Sequence, residues 1–420
     1  MEKIVFHIDV NSAFLSWEAV YRIHHLGCRT DLRQEVAAVG GDMAMRHGII
    51  LAKSIPAKRY HIQTGESIME ARQKCPFLEL VPPNYSLYER CSAAFMEILR
   101  QYSPCVEQYS IDEAFMDMTG TERLFGDPVS AANRIREQIR DELGFTVNVG
   151  ISENKLLAKM ASDFRKPDRF HTLWKHEIES KMWPLPISGL FFAGRATSKK
   201  LYQLGIHTIG DLAHTDPALL QHHLKKHGQV IYDFANGRDI SVVQPQSPAN
   251  KGYGNSTTIA FDVSDASTAK LVLLALAETV GARLRAANVQ AEVIAVGIKT
   301  FDLRYKSHQI TLHNATSITN EIHHHACRLF DELWDGTPIR HLGIHTSRLQ
   351  DRIDMRQLDM FDVTDYEKLA KMDRTVDQIR ARYGKDSVKR AVFLGSRIDH
   401  MSGGISREKR TVDYTKLDLS

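Results

Sequence analysis

Ile111-Asp112-Glu113-Ala114 stands between two short apolar stretches, Cys105 to Ser110 and Ala114 to Met118. The pattern predicts two strands joined by a turn that carries both carboxylates. Adjacent acids add little to a hairpin turn, but they make a good perch for a divalent cation. A third carboxylate, Asp9, follows the first apolar run, Ile4-Val5-Phe6-His7-Ile8, in which Ile4, Phe6 and Ile8 alternate onto one face of a strand. Residues 85–102 predict a helix, because Tyr88, Cys91, Phe95, Ile98 and Tyr102 recur at spacings of three and four. Pro128 to Leu143 is a second amphipathic helix closed by Gly144, and Thr146 to Ile151 is a final strand. The order is β-α-β-β-α-β, the split-βαβ arrangement, with residues 11–75 inserted between the first strand and its helix. In that topology the end of the first strand lies beside the central turn, so Asp9, Asp112 and Glu113 converge. Three carboxylates together can hold two metal ions, and two metal ions point to phosphoryl transfer.

A chain of 420 residues is too long for one ordinary core, and two to four domains are expected. Apolar content of 43% and charged content of 25% are ordinary for a soluble globular protein. The amino terminus does not read as a signal peptide, and no apolar run is long enough to span a membrane. Five cysteines, at 28, 75, 91, 105 and 327, include no CxxC pair, which suits reduced thiols in a cytoplasm. A net charge of +3 does not announce a polyanion-binding protein, so nucleic-acid binding must come from local placement of Lys and Arg.

Residues 167–240 read as mostly helical, and Gln244 to Lys251, with Pro245 and Pro248, as a linker. Residues 253–350 repeat the β-α-β-β-α-β order and are net neutral. Within them His323-His324-His325 and Cys327 are not expected to bind zinc, because neighbours on a helix point in different directions. A final helix over Tyr366 to Arg382 shows Leu369, Met372, Val376, Ile379 and Tyr383 on one stripe, expected to pack in a core or on a partner.

Ile8-Asp9-Val10-Asn11-Ser12-Ala13-Phe14, Tyr109-Ser110-Ile111-Asp112-Glu113-Ala114-Phe115, Val149-Gly150-Ile151-Ser152-Glu153-Asn154-Lys155 and Ala158-Lys159 closely resemble Y-family DNA polymerases, the translesion group of the DinB and UmuC kind. The match covers nearly the whole chain, and the tail looks like that of a Gram-positive subgroup. The resemblance implies an α+β right-hand polymerase: a ferredoxin-like βαββαβ palm (1–10 and 76–166), small fingers (11–75) and a helical thumb (167–240). A linker (241–252), a second βαββαβ little finger (253–350) and a tail (351–420) follow. It implies a template-dependent polymerase without a proofreading exonuclease that adds dNTPs during DNA damage tolerance and the SOS response, as a cytoplasmic monomer.

Carried across residue by residue, the resemblance assigns two Mg²⁺ ions to Asp9, Asp112, Glu113 and the backbone carbonyl of Val10. Phe14 matches a steric gate packed where a ribose 2′-hydroxyl would go, and Lys58 and Lys166 match the positions that hold the β and γ phosphates. Gln357, Leu358, Met360 and Phe361 resemble the peptide by which bacterial polymerases dock on the sliding (beta) clamp. Primer-template DNA, dNTPs and that clamp are the implied partners. Lys155 and Lys159 share a helix face and could approach template-primer or triphosphate, or simply be solvated.

Three departures bear on efficiency. Ile55 stands where many relatives have a phosphate-binding Tyr. Lys58 replaces an Arg, a point charge in place of a bidentate fork. Phe192-Ala193-Gly194 replaces a G-x-G turn, and Phe cannot easily take positive φ, so a weakened turn is expected, compensated electrostatically by Arg195, Lys199 and Lys200. Two alternatives stay open: a catalytically weak DNA-binding scaffold of the same fold that recruits repair factors, and a two-metal nuclease or nucleotidyl cyclase built on the same palm.

Overall fold

The alternation that starts at Ile4 becomes a strand buried on both faces at the middle of a sheet. The computed structural model describes residues 3–41, 48–246, 248–352, 356, 364–401, 412 and 414. These fall into two compact units, one within Met1–Gly40, Ile50–Ser247 and Arg410–Ser420, the other within Gly41–Ile49 and Pro248–Lys409.

The first unit opens with β1 (Val5–Val10) and α1 (Ala13–Leu26). Next come β2 (Ala37–Gly40), β3 (Ile50–Lys53), α2 (Ile55–Lys58), α3 (Ile68–Lys74) and β4 (Glu79–Val81), with the strands in the order β3-β2-β4, so the inserted sheet reaches past the expected boundary at 75 to residue 81 because β4 pairs with β2. Then come α4 (Tyr85–Tyr102), β5 (Val106–Gln108), β6 (Glu113–Asp117), α5 (Glu122–Phe125), α6 (Pro128–Leu143), β7 (Val147–Ser152), α7 (Lys155–Ser162) and β8 (Phe170–Thr172). The main sheet has the order β5-β6-β1-β7-β8. Its first four strands are the antiparallel split-βαβ set, and β8 adds a parallel edge beside β7.

A sheet buried on both faces needs a layer on each side. Phe6 and Ile8 share one core with Phe95 and Leu99 of α4 and Ile135 and Ile139 of α6. On the other face Val5 and Phe115 pack with Ala158 of α7 and with Val243. Gly150 permits that second layer, because a Cβ there would lie 1.8 Å from the Ala158 carbonyl oxygen. Helix α6 carries the ends its sequence announces: Asp127 accepts from the amides of Val129 and Ser130, Pro128 opens the first turn, and Gly144 closes the helix at φ 73°. The central turn runs over 109–112 rather than the expected 111–113, because β5 ends at Gln108 and β6 begins at Glu113. Glu113 belongs to β6, because its carbonyl takes the amides of Tyr109 and Ser110 and leaves 109–112 as the turn.

The remainder of the first unit is helical: α8 (Arg195–Gln203), α9 (Ile209–His214), α10 (Pro217–Leu224) and α11 (Lys226–Ala235). Leu201, Ile209, Leu212, Leu220 and Ile231 form its core. Phe192 does adopt positive φ, at 69°. The turn is closed by the Ala193 amide donating to the Leu190 carbonyl at 2.9 Å. Phe192 also packs 4.4 Å from the Phe191 ring and 5.8 Å from Phe234, ring centre to ring centre. Phe192 thus carries backbone strain that a glycine there would not incur.

The second unit comprises β9 (Gly254–Val263), α12 (Ala266–Ala286), β10 (Val289–Thr300), β11 (Tyr305–Thr316), α13 (Thr319–Leu333), β12 (Ile339–Asp351) and α14 (Tyr366–Tyr383). Its chain order repeats that of the main sheet, but the strands lie β11-β10-β12-β9. The last strand is therefore internal and the first forms an edge. Helix α14 docks by charge more than by its apolar stripe, since Met372 and Tyr383 are exposed while Asp373 and Arg380 are buried. Arg285 of α12 pairs with Asp373 at 3.0 Å and Asp377 at 2.6 Å, and Arg380 pairs with Glu278 at 2.6 Å. Asp373 also accepts the Thr319 amide at 2.8 Å, capping α13, whose own N-cap residue, Ile318, has no capping group. His323 is used locally, with its Nε2 3.0 Å from the Lys270 carbonyl and 3.1 Å from Cys327 Sγ. No described helix is long and apolar enough to cross a membrane.

Candidate active site

Antiparallel pairing of β1 with β6 sets Asp9 directly opposite Glu113. One residue further, the Val10 amide donates to the Asp112 carbonyl at 3.0 Å, which folds the turn over the end of β1. Ser110 fixes that turn by donating its hydroxyl to Asp112 Oδ1 at 2.7 Å. The three acids and Val10 therefore sit at one end of the sheet, as the topology requires.

Two lysines reach these acids. Lys166 lies 2.9 Å from Asp9 Oδ1 and 2.8 Å from Asp163, and Lys159 of α7 lies 2.9 Å from Glu113 Oε1. Burial pushes Asp9 up to about 7; Lys166 opposes that rise and the neighbouring Glu113 adds to it. Burial would also raise Glu113, but Asp9, which shares its proton, and the Lys159 ammonium outweigh it and hold Glu113 well below the usual carboxylate range. Desolvation acts to lower Lys166, yet Asp9 and Asp163 keep its pKa raised. Adjacent acids on paired strands share a proton sooner than carry two bare charges. The acids offer hard oxygen donors in a partly dry place, and their counter-charges are the Lys159 and Lys166 ammonium groups. Such a set fits a divalent ion of the Mg²⁺ or Mn²⁺ type.

Beneath the acids lies His7, fully buried. The Ser162 hydroxyl donates to the Lys159 carbonyl at 2.8 Å, so at 2.7 Å it accepts from His7 Nδ1. His7 Nε2 is left without a partner, facing Glu113 Oε2 at 3.9 Å. That arrangement describes a neutral ring.

The link from β1 to α1 is tight. Ser12 takes the left-handed conformation at φ 48°, held by the Asn11 amide donating to the Thr146 carbonyl at 3.0 Å and by Ser16 Oγ donating to the Asn11 carbonyl at 2.6 Å. Two residues later, half-buried Phe14 stacks on Tyr88, with ring centres 4.4 Å apart and planes inclined by 7°, and meets Tyr85 edge-on at 5.8 Å. Lys58 ends α2 and is exposed. Lys53 has its pKa lowered, first by burial and then by the charge of Lys58. Ile55 is exposed as well. Gln357, Leu358, Met360 and Phe361 lie outside the described residues.

Comparison with known proteins fits this geometry. The impB/mucB/samB family model matches residues 8–163, its C-terminal domain matches 250–360, and a DNA polymerase-iota thumb domain matches 193–239. DNA polymerase IV of Clostridium acetobutylicum is 45% identical over 394 residues, covering 94% of this chain and 99% of the relative. The chain belongs to the Y family of DNA polymerases. DNA polymerase IV of Acetivibrio thermocellus is 37% identical over 402 residues, covering 94% and 99%. A solved Y-family DNA polymerase chimera of Dbh and Dpo4 superposes with a TM-score of 0.70 at 21% identity, covering 83% of this chain and 100% of that one, which speaks for the fold.

In this Y-family polymerase the two α7 lysines have separate fates. Lys159 takes Glu113, while Lys155 binds Glu107 at 2.7 Å and lies 4.7 Å above the Phe115 ring. The role of His7 escaped the sequence reading, although a signal was present. If Ile4, Phe6 and Ile8 share one face, then Val5, His7 and Asp9 share the other.

Burial, with Lys159 adding to it and Glu113 and Asp163 opposing, brings the His7 pKa from 6.5 down to about 4. The unfolded chain then binds a proton as pH falls through 6.5, while the folded chain does not until near 4. His7 therefore contributes stability that is present above pH 6.5 and lost between 6.5 and 4, up to about 3 kcal/mol. Urea unfolding of the metal-free protein should show a shallower pH slope across that window for His7→Gln than for the unaltered chain. Equal slopes would refute a neutral buried His7.

Proposed function

We propose that this polymerase extends a primer 3′-hydroxyl past damaged template bases, with Asp9, Asp112, Glu113 and the Val10 carbonyl holding two Mg²⁺ ions. The pairing of Asp9 with Glu113, each with an ammonium group at its oxygen, carries this reading. When bound, the two ions would activate the 3′-hydroxyl and stabilise the leaving pyrophosphate.

The chain's own residues prepare that reaction. Asp9 gives up its proton to become a ligand. Lys166 leaves Asp9 and, with Lys58, holds the β and γ phosphates of the incoming dNTP. Lys159 steadies Glu113, and the rigid ring of Phe14, backed by Tyr88, excludes a 2′-hydroxyl by size. Downstream, Gln357, Leu358, Met360 and Phe361 dock on the sliding clamp, a polar anchor with apolar side chains for a groove. A scaffold of the same fold without efficient catalysis remains the rival, motivated by exposed Ile55, by Lys58 and by the strained Phe192 turn.

Primer extension with purified protein, Mg²⁺ and dNTPs separates the two. Extension is expected; none, under conditions where a control polymerase works, would favour the scaffold. Asp112→Ala should lower extension by at least about 100-fold while DNA binding is retained. Residual full activity would rule out the metal assignment. For Phe14→Ala, insertion of rNTP relative to dNTP should rise about 10- to 100-fold in single-nucleotide assays, and unchanged selectivity would remove Phe14 from the sugar pocket. Deleting 357–361 should abolish stimulation by the clamp and spare basal synthesis; stimulation that survives would place the docking peptide elsewhere.

A further inference from the structure

Tyr414 lies near the carboxyl terminus yet touches the first unit at α1 and α4. Its hydroxyl donates to Glu18 Oε2 at 2.9 Å and accepts from Asn84 Nδ2 at 3.0 Å. Its ring centre lies 5.2 Å from that of Tyr21. Glu18 is fully buried on α1, and its other oxygen is taken by Arg22 Nε at 2.9 Å. A buried carboxylate needs donors on both oxygens, and Tyr414 supplies the second. Asn84 has a further task as the cap of α4, where its Oδ1 accepts the Leu87 amide at 3.1 Å.

One hydroxyl thus ties α1 at Glu18 to α4 at Asn84. Phe14 is one helical turn before Glu18, and Tyr85 and Tyr88 fall in the first turn after Asn84. These are the helices whose rings form the Phe14 stack. Tyr88 has its own hydroxyl buried without a partner, so ring packing and the spacing of the two helices fix its place, with no hydrogen bond of its own to help.

We propose that Tyr414 is a positioning residue for the sugar pocket: its side chain docks between Glu18 and Asn84, locks α1 against α4, and so sets how closely Phe14 approaches the incoming nucleotide. The proposal rests on reading Phe14 as the steric gate. It gives the end of the tail a task in substrate choice, separate from clamp docking.

Tyr414→Phe in the full chain keeps the ring and removes only the hydroxyl. The dNTP KM should rise about 3- to 10-fold, part of what one charge-assisted hydrogen bond is worth because the ring stays in place, and dNTP-over-rNTP selectivity should fall by a similar factor. The value of kcat should stay within about twofold, because no metal ligand is touched. Hydrogen exchange of residues 13–26 and 84–88 should quicken in the same variant. Unchanged exchange would overturn the docking, and quickened exchange with unaltered KM and selectivity would overturn the positioning role. If the unaltered chain fails to extend a primer, the polymerase reading fails first, and exchange still decides whether Tyr414 docks.

Discussion

Antiparallel register between two strands, Asp9 opposite Glu113, is the constraint on which the rest of the site depends. Slipping either strand by one residue would turn one acid to the opposite face and dissolve the site. The register is protected by layers on both sides, Phe6 and Ile8 below and Val5 and Phe115 above, so a slip would also expose core residues. Local chemistry is weak by comparison. A pair of carboxylates held side by side repels, and it persists because the sheet holds it and lysines and a proton neutralise it.

Each neighbouring element is fixed by a close approach that places one functional group. Gly150 lets α7 lie against β7, and α7 carries Lys159 to Glu113. The strained Ser12 turn sends the chain from the end of β1 directly into α1, so Phe14, the proposed sugar gate, follows Asp9, the proposed metal ligand, by only five positions. His7, fixed by Ser162, fills the space under Glu113 with a neutral ring that adds no counter-charge. The pocket can therefore take up cations above without losing its support below.

Local signals were legible in the sequence and long-range ones were not. Alternation in β1, helical spacing in α4, and Asp127-Pro128 with Gly144 around α6 each depend on neighbours a few residues away, and each appears where the sequence places it. The convergence of Asp9 and Glu113 followed once the strand order was inferred. The partners of those acids did not, because Lys159 and Lys166 lie far along the chain and nothing in their spacing marks them. Helix α14 illustrates the same limit: its apolar stripe suggested packing, while Asp373 and Arg380 bind Arg285 and Glu278, about ninety to one hundred residues earlier. Phe192 takes positive φ against its own local preference.

Anomalous diffraction from a complex with Mn²⁺, primer-template DNA and a non-hydrolysable dNTP addresses the central claim most directly. Two manganese peaks bounded by Asp9, Asp112 and Glu113 are expected, with Lys166 withdrawn from Asp9 onto the triphosphate. Manganese bound elsewhere, with Lys166 still on Asp9, would contradict it.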